Sequence, residues 1–550
     1  MMRRTSYCAP QYFALTLVLL FSWFHNSLAL RKERLIETWR PDHYDVQLTL
    51  SEHLDEITAA RVDVRIVALK PVTLVDLDFG NLKIDSVLFN SKSTNYVHDA
   101  GKLLIKLDSA LITGNSATVS VFYHGKPSDG LILKPDRAGR PSAVGDNWPD
   151  RVHHWIPVFD HPSAKASVTF NVIAPKGNLV IANGRFSKVE TLSDGNRRWT
   201  YDEASPIPPY CMIIGVGDFA LFEPPINSSI PLLYYVPQSD RDFAIKGFAP
   251  ARPVLTFFSQ KVAPYPYEKL ALIVGATQFG GMENSSAIVF PSGFFVSNPS
   301  AQLSNTYQIP ESTVKTVAHE IAHQWFGDSV TESTWSDLWL SEGFATYFAG
   351  LAIENFEGEN EFESYLETGA KAVFAYENQT VVPIHDNDTP DLFKLLNANN
   401  YQKGAWVLHM LRMRLGDAGF FEGIRRYYQA HKESTANTED LRTALEQSSG
   451  KQLTDFFKRW VYESGHPKYE LSSNWDPKSQ SVELVLKQNQ QSALFLDPVP
   501  VRLTSGSKSL DVKIVPTNKV TTATFHFESQ PTQIEIDPRN TLLKEAKVVN

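Results

Sequence analysis

Two histidines four residues apart enclose an acid in the run Val317-Ala318-His319-Glu320-Ile321-Ala322-His323, and a further acid, Glu342, follows after eighteen intervening residues. On a helix the two imidazoles lie one turn apart on one face and can converge on a single ion. Glu320 then sits about 100° round the helix from His319, within reach of a water on that ion. Two imidazoles and one carboxylate fill three positions of a tetrahedral zinc site and leave the fourth for water, as catalytic zinc requires. Such a water is acidified from a pKa of about 15.7 to about 7, and Glu320 is placed to take its proton. The expected cofactor is one zinc ion held by His319, His323 and Glu342.

The same spacing also arises on ordinary amphipathic helices whose histidines do no chemistry. Three features separate this run from them. Ile321 and Ala322 keep the helix apolar, Ser312 offers an N-cap, and Glu342 stands in a second helical pattern, Ser341-Glu342-Gly343-Phe344-Ala345-Thr346-Tyr347. The connection is long enough for the second helix to turn back and bring Glu342 onto the ion.

The chain's 550 residues exceed one ordinary core, so about two to four domains are expected. A formal charge of −9 leaves no basic stripe to release counterions, which argues against nucleic acid as a partner. Arg3 and Arg4, the apolar run 13–24 and Ser27-Leu28-Ala29 read as an export signal over residues 1–29. The apolar run is short for a membrane span, and His25 and Asn26 interrupt it. A secreted or periplasmic location is expected, with no stable span once the signal is removed; the alternative is an N-terminal membrane anchor. Cys8 falls within the signal, so Cys211, in the run Tyr210-Cys211-Met212-Ile213-Ile214, is the one mature cysteine and reads as an inert core residue. Sequons at Asn227, Asn284, Asn378 and Asn387 matter in a host that glycosylates asparagine.

Residues 30–235 alternate in strand fashion, as in Tyr44–Leu50 and Ala117–Tyr123, and predict a mainly β domain. Helical patterns dominate 236–465: Ser312–Gly327, Glu342–Glu357, Tyr401–Leu415, Phe420–His431 and Leu453–Glu463, with a further short helix from Thr438. A strand pair over Leu270–Val274 and Ala287–Phe290 precedes the histidine helix. From 466 to 550 the pattern returns to β, enough for one small sandwich.

Upstream of the histidines lies Gln278-Phe279-Gly280-Gly281-Met282-Glu283-Asn284. Glycines admit a substrate backbone at close range, a strand edge there can pair with an extended peptide, and Glu283 adds a carboxylate beside the metal. Together with the zinc run, this stretch resembles the aminopeptidase N family of zinc metallopeptidases (gluzincins), which includes leukotriene hydrolase. The family pattern Gly-Ala/Gly-Met-Glu-Asn matches 280–284, and the zinc pattern matches His319, Glu320, His323 and Glu342. Trp339-Leu340-Ser341-Glu342-Gly343-Phe344-Ala345, Asn400-Tyr401-Gln402-Lys403-Gly404-Ala405 and Trp155-Ile156-Pro157-Val158-Phe159-Asp160-His161-Pro162 with Lys165 and Ala166 also follow the family. The resemblance runs from about residue 36 to 465.

It implies a multidomain α+β protein: a saddle-like N-terminal β-sheet domain, a thermolysin-like, mainly helical catalytic domain and a small C-terminal β-sandwich. It also implies roles. Glu283 would bind the free α-amine of a peptide, Glu320 would act as base and then proton donor, and Tyr401 would stabilise the oxyanion. Gly280, Gly281 and Met282 would line the peptide cleft. Asn147 is the candidate for the polar amine-binding residue that the family places before Trp155. Asp328 or Asp337 would orient a zinc histidine. Many relatives continue into a large helical domain that roofs the cleft; here a more open cleft, or one closed by a second subunit, is expected, and the sequence sets no oligomeric state.

The expected activity is thus zinc-dependent release of N-terminal residues from peptides with a free N-terminus. Epoxide hydrolysis of the leukotriene type fits poorly, because Leu396 and Phe393 occupy the positions where that chemistry needs a tyrosine and an aspartate. A catalytically inactive scaffold fits poorly too, since ligands, base and tyrosine are all present. Glu283 argues against an endopeptidase, because an internal peptide segment has no amine to pair with it.

Overall fold

The computed structural model describes residues 31–224, 230–295 and 311–549, leaving out the side chains of 311–313. The expected export signal with Cys8, the sequon at Asn227 and the Ser312 cap lie outside the described residues.

Strand periodicity in the N-terminal third becomes a sheet of eight strands. Its central strand, Trp39–Leu50, pairs antiparallel with Ile57–Ala68 and parallel with Ala166–Ala174. Tyr44, Val46, Leu48 and Leu50 are all buried, so every second side chain enters the core. A sheet of three strands and another of four complete this region.

A second four-stranded sheet carries the chain toward the site. Phe219–Phe222 pairs antiparallel with Leu232–Pro237, which runs parallel to Leu270–Gly275, itself parallel to Ala287–Pro291. Leu270–Gly275 is buried at every residue, as parallel strands covered on both faces are. The expected domain boundary after 235 therefore falls inside a strand of this sheet. Alternation identifies strands but not the sheet each one joins.

The helices Glu311–His323, Trp339–Phe356, Glu359–Glu377 and Gly404–His431 follow. Residues 339–353 of the second are all buried, so it is a core helix rather than a surface one. It meets the fourth where a Cβ on Gly343 would stand 3.0 Å from Cα of Gly404. That close approach brings the start of the fourth helix beside Glu342. The C-terminal residues form a four-stranded and a three-stranded sheet. The chain is thus multidomain α+β, and among the described residues no helix is long and apolar enough to cross a membrane. Cys211 is fully buried. So is Asn284, where the folded protein has no room for a glycan.

Candidate active site

The helix Glu311–His323 sets its two histidines one turn apart, and the core helix supplies the acid. Nε2 of His319 and Nε2 of His323 lie 3.1 Å apart, and Oε2 of Glu342 lies 3.3 Å and 3.4 Å from them. Zinc bonds of about 2.0–2.1 Å in a tetrahedron place ligand atoms about 3.3 Å from one another. Oε2 of Glu342 is buried and faces the two imidazole nitrogens, as expected of an oxygen that shares a cation with them. Burial works against the Glu342 charge, but His323 and His319 outweigh it and hold the carboxyl at about 2. The donor set fits one divalent cation of zinc's size.

Nδ1 of His323 reaches the carbonyl oxygen of Phe326 at 3.1 Å and the hydroxyl of Ser341 at 3.0 Å. These contacts aim Nε2 at the cation position. Gly327 makes the turn possible: its φ is +120°, and a Cβ there would stand 2.4 Å from Oγ of Ser341. The orienting role expected of Asp328 or Asp337 is corrected by this arrangement. Asp328 accepts from Nε2 of Gln324 and Sγ of Cys211, and Asp337 accepts from the amide and hydroxyl of Thr438.

Glu320 is buried, and burial drives its carboxyl well above the usual carboxylate range. It occupies the space beside Gly281, where a Cβ would stand 2.2 Å from Oε1 of Glu320. No Cβ contact lies within 4 Å at Gly280. Met282 exchanges both backbone hydrogen bonds with Val289, at 2.8 and 2.9 Å, so its amide and carbonyl are committed to the fold. Glu283 is buried beside Glu320 and His323. Burial raises its carboxyl to about 7, against the pull of His323.

Tyr401 sits on a π-turn, Asn399–Lys403, and its ring lies parallel to that of His319, with centroids 5.9 Å apart and 6° between the planes. Such turns are rare and recur at functional sites. All these groups face one open cleft. Trp148, Phe279 and Leu396 give part of it an apolar wall; Lys315, Tyr365 and Gln402 are polar lining residues.

The structure therefore brings His319, His323, Glu342, Glu320, Glu283, Tyr401, Gly280, Gly281 and Met282 to one cleft. It does not bring Asn147. That side chain is fully buried, donates to the carbonyl of Met212 and accepts from Nε1 of Trp155 at 2.8 Å. Its neighbour Trp148 lines the cleft instead, edge-on to Phe279 and Phe393. Sequence reasoning also passed over Gln324, whose only signal was an amide in the otherwise apolar run Ile321-Ala322-His323-Gln324-Trp325-Phe326.

Comparison with known proteins agrees with this geometry. Residues 40–211 match the Peptidase M1 N-terminal domain, and residues 248–460 match the Peptidase family M1 domain. A probable aminopeptidase 1 of Saccharolobus solfataricus is 28% identical over 406 residues, covering 72% of this chain and 50% of that protein. A probable aminopeptidase 2 of Sulfurisphaera tokodaii is 30% identical over 443 residues, 78% of this chain and 55% of its own length. Human glutamyl aminopeptidase is 27% identical over 338 residues, 58% of this chain and 34% of that protein. The chain spans about half the length of the curated relatives it matches first. With both family domains matched in order and the paired histidines and acid assembled in one cleft, the chain belongs to the M1 family of peptidases.

Proposed function

We propose that this protein is a zinc-dependent aminopeptidase that hydrolyses the first peptide bond of peptides with a free N-terminus. The observation that carries the reading is the placement of the Glu283 carboxyl beside Glu320 and the metal ligands, inside the same cleft. A buried acid there pairs with a substrate ammonium and fixes which bond reaches the reactive groups.

His319, His323 and Glu342 hold the metal. Zinc, when bound, supplies the acidified water and a Lewis acid for the scissile carbonyl. Glu320 accepts a proton as the water oxygen bonds to the carbonyl carbon, and delivers it to the departing nitrogen as the C–N bond breaks. The phenol of Tyr401 donates a hydrogen bond to the carbonyl oxygen as negative charge develops on it. Among the described residues the backbone groups of Gly280 and Gly281 make no hydrogen bond, which leaves them for the peptide backbone.

Epoxide hydrolysis has no support here. Leu396 is an apolar wall of the cleft, and Phe393 is packed on Trp148 and Phe279. We also propose export, with cleavage after Ala29; N-terminal sequencing of exported protein beginning at Leu30 would agree with it, and retention of residues 1–29 would not.

The test of the activity is a panel of aminoacyl-arylamides, each paired with its N-acetylated form, with and without chelator. Hydrolysis confined to free amines and lost on chelation is expected. Equal cleavage of the acetylated forms would overturn the exopeptidase reading.

A further inference from the structure

Gln324 is the first residue past the helix Glu311–His323, four residues on from Glu320, and is fully buried. Its amide nitrogen reaches the carbonyl oxygens of Glu283 at 2.9 Å and Asn284 at 3.4 Å, and Oδ2 of Asp328 at 2.8 Å. Its amide oxygen accepts from the backbone N–H of Ser286 at 2.8 Å and lies 3.0 Å from the hydroxyl of Tyr265, whose single proton also faces the carbonyl oxygen of Lys269 at 3.0 Å. The orientation of this amide has no ambiguity. Backbone carbonyls can only accept and the Ser286 N–H can only donate, so a flipped side chain would oppose like groups at both ends.

The loop held in this way is the one that presents Glu283. Ser286 has a positive φ of 63°, a conformation a serine keeps only when its surroundings enforce it. The N-terminal domain grips the far side of the same loop: Nδ2 of Asn183 donates to the carbonyl of Ser285 at 2.7 Å, and the amide of Gly184 donates to Oγ of Ser286 at 2.7 Å. On the other side, the end of the histidine helix and the residue after it touch the loop. Glu320 fills the space beside Gly281, and Gln324 clasps residues 283 to 286 four residues further on.

We propose that Gln324 is the positioning residue that sets the distance between the amine anchor Glu283 and the metal ligands, and so determines which peptide bond reaches the metal. This rests on Glu283 as the amine anchor. An acid of the same shape at 324 would put one acceptor oxygen, in place of Nε2, against two carbonyls and the Asp328 carboxylate, releasing the loop while leaving His319, His323 and Glu342 in place.

The test measures the binding of two competitors to the zinc-loaded full chain: leucine hydroxamate, and the analogue lacking its α-amine. The wild-type protein is expected to prefer the amine-bearing compound. In Gln324→Glu that preference falls by about tenfold or more, binding of the des-amino compound changes by less than about twofold, and zinc content is kept. An unchanged preference, or equal weakening of both compounds, overturns the proposal; the latter would make Gln324 a support of the metal helix alone. Equal binding of both compounds by the wild-type protein would instead remove Glu283 as the anchor, a separate failure. If Gln324→Glu does not fold, Gln324→Met decides. It keeps the length of the side chain and removes its hydrogen bonds to residues 283–286, and the preference is expected to fall by about tenfold; no change would overturn the proposal.

Discussion

Nδ1 of His323 lies 3.1 Å from the carbonyl oxygen of Phe326, three residues on. A carbonyl only accepts, so Nδ1 carries a proton toward Phe326 and Nε2 is the nitrogen left facing Nε2 of His319 and Oε2 of Glu342. Ser341, 3.0 Å from the same nitrogen, is the second partner. Ser341→Ala should weaken zinc binding by about tenfold while turnover at saturating zinc stays near normal. Competition with a chromophoric chelator measures this; unchanged affinity would show that the Phe326 carbonyl orients the ring unaided.

Tyr401→Phe removes one oxygen and keeps the ring that lies parallel to His319. A group that acts only as charge develops affects turnover more than binding. We expect kcat to fall by about 10²–10³ with KM changed by no more than a few-fold. A rise in KM with kcat intact would place the hydroxyl on the bound substrate instead.

Glu320→Gln is nearly isosteric and cannot accept the water's proton. It should keep zinc, measured by metal analysis, and lose turnover by about 10²–10⁴. Near-normal hydrolysis would assign the base to another group.

Stability should carry a pH signature from His409. Burial lowers its imidazole from 6.5 to about 4, with Nε2 3.2 Å from the carbonyl oxygen of Asn540. Between those values the unfolded chain binds a proton that the folded protein does not. Stability from this residue is therefore present above pH 6.5 and lost as pH falls through that window, by up to about 3 kcal/mol. His409→Gln should flatten this part of the curve in urea unfolding measured from pH 7 to 4. A slope identical to wild type would show that His409 does not control it.

Much of the site was legible because its logic is local. A helix converts the four-residue spacing of His319 and His323 into convergence, and Glu342 lies on a helix whose apolar pattern is plain. The strands Tyr44–Leu50 and Ala117–Tyr123 sit within Trp39–Leu50 and Ser116–Gly125 for the same reason. The two helices expected over 401–415 and 420–431 are both present within Gly404–His431, divided by the non-helical Gly416 with φ of 74°. What escaped was long-range or made by backbone. The partners of His323 include a main-chain carbonyl that no residue type announces, and Gln324 clasps a loop some forty residues back in the chain. Asn147 was misplaced because its stretch turns inward at Trp155, whose indole it accepts from. Counting along the chain could not distinguish that residue from Trp148, which does line the cleft.

The π-turn at Asn399–Lys403 makes this catalytic apparatus sensitive to chain length as well as to chemistry. A helix advances about 100° per residue, so losing a single residue from that turn would swing the phenol of Tyr401 away from His319 while preserving every amino acid credited with a role. An inactive descendant of this protein would therefore not need a substituted ligand or base to be recognised; a one-residue gap before Gly404 would be enough.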